Sequence, residues 1–323
     1  MMSDNSNAIT ILCADVCRGS DVKPLTASEW ADVAKRLRKN CIEPMHMLTF
    51  TKDELLRFFE GSISITERVA RLYRRSGSIS FELQKLKQKG IEIVTRADVN
   101  YPKLLKSRLK DKCPPLFYYV GDLEKVNQKK FIGFVGSRET CDTDIEFTRR
   151  IVGSIFNEGF DVVSGGARGV DSEARNAITE MEGFCIEFEF MLSRKIRQPK
   201  IIKEIMNSNL VLFSAVHPNA GFSAGNAMSR NKFIYALSEA TVVVRSGVKG
   251  GTWSGAVENH KYFFTKAFCW DNKAYEGNQL LIKNGAATPI GPDFSITDYI
   301  LEKPVEITPK TESMEQLTIA QFD

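Results

Sequence analysis

Several classes of protein are excluded by what this 323-residue chain lacks. No apolar run approaches the ~18 residues that span a bilayer; the longest, Leu210 to Val216, is the length of one buried strand. The N-terminus, MMSDNSNAITILCADV, has no cationic leader, which argues against a secretory signal. Cysteine is sparse and odd in number, seven in all, scattered at 13, 17, 41, 113, 141, 185 and 269 with no Cys-x-x-Cys pair. That usage suits a reducing cytoplasm better than a disulfide framework. Only three histidines occur (His46, His217 and His260), far apart, so no metal site is expected. Charge of one sign is also in short supply: Lys+Arg 44 against Asp+Glu 40 leaves +4. A uniformly basic coat is excluded, while a local basic stripe is permitted.

The pattern along the chain predicts two parts and a tail. Residues 1–77 read as a small all-helical domain, with amphipathic helices over Thr26–Leu37, Thr51–Phe59 and Thr66–Arg74. Helical modules of this size can bind duplex backbone, but no convincing glycine hairpin supports that here. Over 78–300, apolar β-branched runs alternate with helical segments. Expected strands are Ile91–Thr95, Leu116–Val120, Phe131–Val135, Asp161–Ser164, Cys185–Phe190, Leu210–Val216, Thr241–Arg245 and Ala267–Trp270. Such alternation predicts an α/β fold, an extended Rossmann-like doubly wound and mostly parallel sheet, after the small helical domain. Thr143 and Glu146 are spaced as a capping box, and residues 301–323 read as a mobile tail.

In a doubly wound sheet, ligands bind beyond the carboxyl ends of the strands, so the glycine turns there are the candidate sites. Gly136, Ser137 and Arg138 follow the third expected strand and offer a close backbone approach, a hydroxyl and a planar fork for phosphate. Ser164, Gly165, Gly166, Arg168 and Gly169 precede a helix in which Asp171 is the expected cap, an arrangement that favours an anion. Arg230, Asn231 and Lys232 are read as the beginning of a helix, where cations oppose the dipole and so suggest an anionic ligand. Lys249, in the turn Ser246–Thr252, is a further candidate, as is the run Arg194, Lys195 and Arg197. Neither GxGxxG nor a Walker lysine is present. No catalytic constellation accompanies the turns. Glu258 is the best carboxylate, and a solvated helix face explains it as well. Tight structural turns remain the plainer reading of any single glycine motif.

Taken in order, Phe134-Val135-Gly136-Ser137-Arg138 with Thr140, Ser164-Gly165-Gly166-Ala167-Arg168-Gly169-Val170-Asp171 and Arg230-Asn231-Lys232-Phe233-Ile234 closely resemble the DprA/Smf DNA-processing family. Asp98, Tyr101-Pro102, Pro114-Pro115-Leu116-Phe117 and Gly121 match that family's lead-in, and Gly277-Asn278 with Gly285 its last core motif. The resemblance covers about residues 78–292. It implies a pocket for single-stranded DNA, homodimerisation and delivery of a RecA-type recombinase, without cofactor or membrane. By that resemblance Arg138 grips a phosphate, the second turn cradles one, and Arg230 and Lys232 line the same pocket. Arg175 stands where the family usually has histidine, Glu187 and Glu189 alternate within a strand the family keeps apolar, and the Ser246–Thr252 turn is longer. A C-terminal winged helix, common in the family, is not expected within so short a tail. These departures point to a divergent branch. Two other classes compete: a nucleotide-processing enzyme of the lysine-decarboxylase-like Rossmann group, whose Gly-Gly-x-Gly-Thr-x-x-Glu turn is broken here, and a nucleotide-sensing regulatory domain.

Overall fold

The computed structural model describes residues 2–16, 21–221 and 223–300; the expected tail over 301–323 lies outside them. Five helices come first: α1 (Asp4–Cys13), α2 (Ala27–Lys39), α3 (Lys52–Phe58), α4 (Ile63–Tyr73) and α5 (Ser76–Lys87). Capping boxes start two of them. Thr26 and Glu29 form a capping box on α2, and Thr51 and Glu54 form one on α3, each pair answering two orphan N–H groups. Trp30, Val33 and Leu37 give α2 its buried stripe, as the periodicity predicts. Arg75 donates twice to the Ile11 carbonyl and ties the end of α4 back to α1.

The alternating region follows as β1 (Glu92–Thr95), α6 (Lys103–Leu109), β2 (Leu116–Val120), β3 (Phe131–Val135), α7 (Asp142–Asn157), β4 (Asp161–Ser164), α8 (Val170–Glu180), β5 (Cys185–Phe188), α9 (Leu192–Lys195), α10 (Pro199–Met206) and β6 (Leu210–Ser214). It continues through α11 (Ala224–Leu237), β7 (Ala240–Val243), α12 (Gly251–Tyr262), β8 (Lys266–Trp270), α13 (Glu276–Lys283), β9 (Thr288–Ile290) and α14 (Thr297–Ile300). The strands form one sheet in the order β1-β2-β6-β5-β4-β3-β7-β8-β9. From β6 to β9 every neighbouring pair is parallel, while β1 and β2 add an antiparallel edge. The doubly wound, mostly parallel sheet expected from the alternation is what forms.

Both faces are covered, which is why β3 and β6 read as nearly continuous apolar runs. One face carries Ile132, Phe134 and Val162 against Phe147, Ile151 and Val152 of α7 and Ala174 and Ile178 of α8; its apolar cluster runs on into the N-terminal helices. The other face packs Phe117, Phe188 and Phe213 against Phe233 of α11, with ring centroids 5.4–5.9 Å apart. The lead-in motifs prove to be joints. Asp98 accepts the Thr95 N–H (2.7 Å) and the Ser6 hydroxyl of α1, and the Tyr101 hydroxyl donates to the Pro114 carbonyl (2.7 Å). Among the described residues, no helix is long and apolar enough to cross a membrane.

Three local expectations are corrected. The box at the start of α7 is built by Cys141 and Asp144, two residues before the expected Thr143 and Glu146; Asp144 accepts the Cys141 N–H at 3.0 Å. The strand expected to reach Arg245 ends at Val243, so Arg245 stands beyond it. Residue Ala224 opens α11, so Arg230 and Lys232 lie well inside the helix and the dipole argument for them falls.

Candidate nucleic-acid interface

Strand order reverses between β3 and β7, whose following connections leave toward opposite edges of the sheet. A crevice therefore opens beyond the carboxyl ends of these two strands. It forms a cleft of ≈ 610 Å³ lined by Gly136, Ser137, Arg138, Asp171, Arg230, Asn231, Arg245, Lys249 and Thr252, among others. A smaller depression of ≈ 490 Å³ adjoins it, lined by Gly166, Arg168, Glu189, Arg194, Lys195 and Gln198, among others. The two share Arg138, Ala167 and Arg230, so they form one continuous groove.

Backbone contacts join the turns around this groove. A Cβ at Gly136 would come within 2.4 Å of the Val170 side chain, and one at Gly169 within 2.2 Å of the Ser137 carbonyl. Only glycine at both positions lets the first two turns meet, and the Val170 N–H then donates to the Ser137 carbonyl. The Thr252 hydroxyl donates to the Gly136 carbonyl at 3.1 Å, and the Asn231 amide to the Gly251 carbonyl at 2.8 Å. Asn231 thus lines the cleft while its amide braces the fourth turn. Asn278 does similar work below, accepting from the Ser246 N–H and donating to the Val244 and Trp270 carbonyls.

The second turn differs from the expected cradle. Gly169, with φ +86°, is the cap residue of α8, and Asp171 sits in its first turn, accepting the Ala167 N–H at 3.2 Å. That carboxylate thus ties the first turn of α8 back to the glycine turn before it, and no side chain caps the helix itself. Ser164 is buried, and Gly165 lies against Asp171 and Arg230. Gly166 lies against Glu187 and Glu189, with no room for a side chain between.

Beneath this turn runs a buried chain of charges. Arg175 pairs with Glu187 at 2.8 Å; Lys195 bridges Glu187 (3.1 Å) and Glu189 (2.9 Å); Arg230 stands 3.8 Å from Glu189. Lys195 also donates to the Gly166 carbonyl at 2.6 Å, and Arg230 to the Phe188 carbonyl at 3.2 Å. Lys195, a candidate phosphate ligand by sequence, is a buried strut that holds the glycine turn in place. Arg175 and the glutamates, noted separately as departures from the family pattern, turn out to be partners. Burial pushes the Asp171 carboxyl up to about 6, opposed by Arg230 and the Ala167 N–H. It pushes Glu189 up as well, against Lys195 and with help from Glu187.

Exposed cations complete the groove. Arg138, Arg168 and Lys249 are exposed on its rim, Arg194 is exposed in the second depression, and Arg168 donates to the Arg138 carbonyl. Among the described residues, none of these four has a carboxylate within ion-pair distance. Lys232 and Arg197 stay out. Positions two apart on a helix face different ways, so Arg230 reaches the groove while Lys232 does not. Burial lowers the proton affinity of Lys232, with Glu258 opposing and Lys112 adding to the effect. Arg197 is exposed away from both depressions, and Glu258 does not line the cleft. Arg245 escaped the sequence reading because it looked like the end of a strand.

Comparison with known proteins agrees with this geometry. Residues 92–300 match the family of DNA recombination-mediator protein A. Protein Smf of Synechocystis is 30% identical over 215 residues, which cover 63% of this chain. The chain spans about half, 53%, of that relative's length. DNA processing protein DprA of Bacillus subtilis is 22% identical over 309 residues, covering 92% of this chain and 97% of that protein. The structure of DNA processing protein A from Streptococcus pneumoniae shares the fold, with a TM-score of 0.70 at 17% identity, over 93% of this chain and 98% of that one. That of Helicobacter pylori, described for its single-stranded DNA binding mode, matches with a TM-score of 0.54 at 25% identity, over 64% of this chain and 94% of that one. On its matched residues and on its sheet, glycine turns and Arg-Asn-Lys-Phe-Ile helix, the chain belongs to the DNA recombination-mediator protein A family, DprA/Smf.

Proposed function

We propose that this chain binds single-stranded DNA through its phosphate backbone, in the groove at the β3/β7 switch point, and acts in DNA processing or recombination without a catalytic step. One observation carries the reading: the exposed cations Arg138, Lys249, Arg168 and Arg194 follow one groove with no carboxylate paired to them among the described residues. Flexible single strands can thread such a path, and arginine forks address phosphates without reading bases. The relative from Helicobacter pylori, described for its single-stranded DNA binding, supports the same reading. Homodimerisation and delivery of a RecA-type recombinase belong to this proposal and rest on family membership.

A fluorescence anisotropy titration with single- and double-stranded oligonucleotides tests it, beside an assay for free base released from nucleoside monophosphates. Single strands of mixed sequence should bind within a few-fold of one another. Four phosphate contacts predict a slope of log affinity against log salt of about −3. A preference for duplex, or release of free base, would overturn the reading.

A further inference from the structure

Arg245 differs from the other cations of the cleft. Its guanidinium is held at one edge by Asp144 (3.0 Å), and its carbon lies 4.8 Å from the centre of the Tyr275 ring. The Tyr275 hydroxyl donates to the other oxygen of Asp144 at 2.6 Å, which closes a triangle of three side chains. Behind it the support is rigid. Tyr275 meets Trp270 edge-on at 5.7 Å, and Trp270 stacks on Phe147 at 4.2 Å with an 8° angle between planes. The Asp144 side chain is fully buried and also accepts the Cys141 N–H, so it stays fixed and ionised. Arg245 is about one third exposed (35%), on the wall of the cleft.

A cation already paired with a buried carboxylate has little charge left to offer a phosphate. It still has a flat, weakly hydrated surface whose orientation is set before any ligand arrives. Nucleobases stack on such guanidinium planes. We propose that Arg245 is a stacking platform for one nucleobase of the bound single strand, with Tyr275 and Asp144 as its positioning residues. This rests on the reading that the groove binds single-stranded DNA. It adds a base contact to a surface that otherwise grips only the backbone.

The test compares a mixed-sequence oligonucleotide with an all-abasic oligonucleotide of equal length, by anisotropy at fixed salt. The native chain should bind the first at least about fivefold more tightly, the low end of stacking on a single base. Arg245→Lys keeps the charge and loses the plane. It should bring the two affinities within about twofold while leaving that for the abasic strand unchanged. Tyr275→Leu, which keeps Arg245 but removes the ring beneath it, should shift the ratio the same way and covers the case in which Arg245→Lys fails to fold. Equal binding of both probes by the native chain overturns the platform and leaves backbone binding standing. Binding of neither probe overturns the backbone reading and the platform with it. An Arg245→Lys protein that keeps the native ratio, or that weakens both probes in proportion, also overturns the platform.

Discussion

Two groups of basic residues meet at the groove and differ in what answers their charge. Arg175, Lys195 and Arg230 sit beneath the glycine turn, each almost fully buried and each facing Glu187 or Glu189. Arg138, Lys249, Arg168 and Arg194 stand on the rim, exposed and unpaired among the described residues. The first group holds the turn in shape, and the second can neutralise phosphates. A count of cations near a pocket therefore overstates its grip, because a buried partner removes a cation from the ligand's reach.

The largest effect should come from breaking the buried group. Glu187 is wholly buried and faces both Arg175 and Lys195, so Glu187→Gln leaves two buried cations short of a partner. A loss of about 3–5 kcal/mol in urea unfolding is expected. Replacing Arg175 and Glu187 together by leucine should cost less than Glu187→Gln alone. If Glu187→Gln melts like the native protein, the charge chain is not holding the turn.

The rim group should show itself in salt dependence, with little change in stability. Arg138→Ala with Lys249→Ala should flatten the salt slope by about 1.4 and weaken binding by tens-fold at moderate salt. Lys232→Ala, on the far side of α11, should leave the slope as it was. The opposite result, a slope that follows Lys232 and ignores Arg138, would reverse the assignment of faces.

A smaller effect, of a few-fold, should appear with pH. Asp171 and Glu189 keep their protons in the folded chain above the range in which unfolded carboxyls release them. Ionisation of Asp171 near 6, and of Glu189 above its ordinary range, adds negative charge to the groove floor. Affinity for the strand should therefore fall as pH rises from about 5.5 to 8 at constant salt, and folding stability should fall earlier, from the unfolded carboxyl range at about pH 4 up to about 7. Asp171→Asn should remove the lower step. An unchanged affinity across that range would place these carboxyls out of electrostatic reach of the ligand.

Much of the fold was legible because its signals are local. The strands Phe131–Val135 and Asp161–Ser164 form with the expected bounds, since each is an apolar run closed at once by a glycine turn. The position of Arg138 on the cleft was legible for the same reason, since it stands in such a turn. The start of α11 was not: the stretch from Asn219 to Ser229 is rich in Gly, Ser and Asn, which resembles a loop, yet the helix begins at Ala224. The role of Lys195 was hidden for a different reason. Its partners arrive from β5 and from the turn after β4, and no spacing along the chain announces them. The two-residue step from Glu187 to Glu189 was the available signal, for it puts both carboxylates on one side of a strand.

The place of β3 in the sheet also bears on when the groove comes into existence. Ile132 pairs with Ala240 across the whole of β4, β5 and β6 and the helices between them. Closing so long a loop carries an entropic cost that neighbouring strands do not face, and long-range pairings of this kind slow folding. The half of the sheet from β3 to β6 can assemble from successive segments, but the crevice has only one wall until β7 docks. Capacity to bind a strand should thus arrive with the slowest refolding phase, later than most of the secondary structure. Stopped-flow refolding followed by circular dichroism and by capture of a labelled oligonucleotide would show the two signals separated in time, and their coincidence would refute that order.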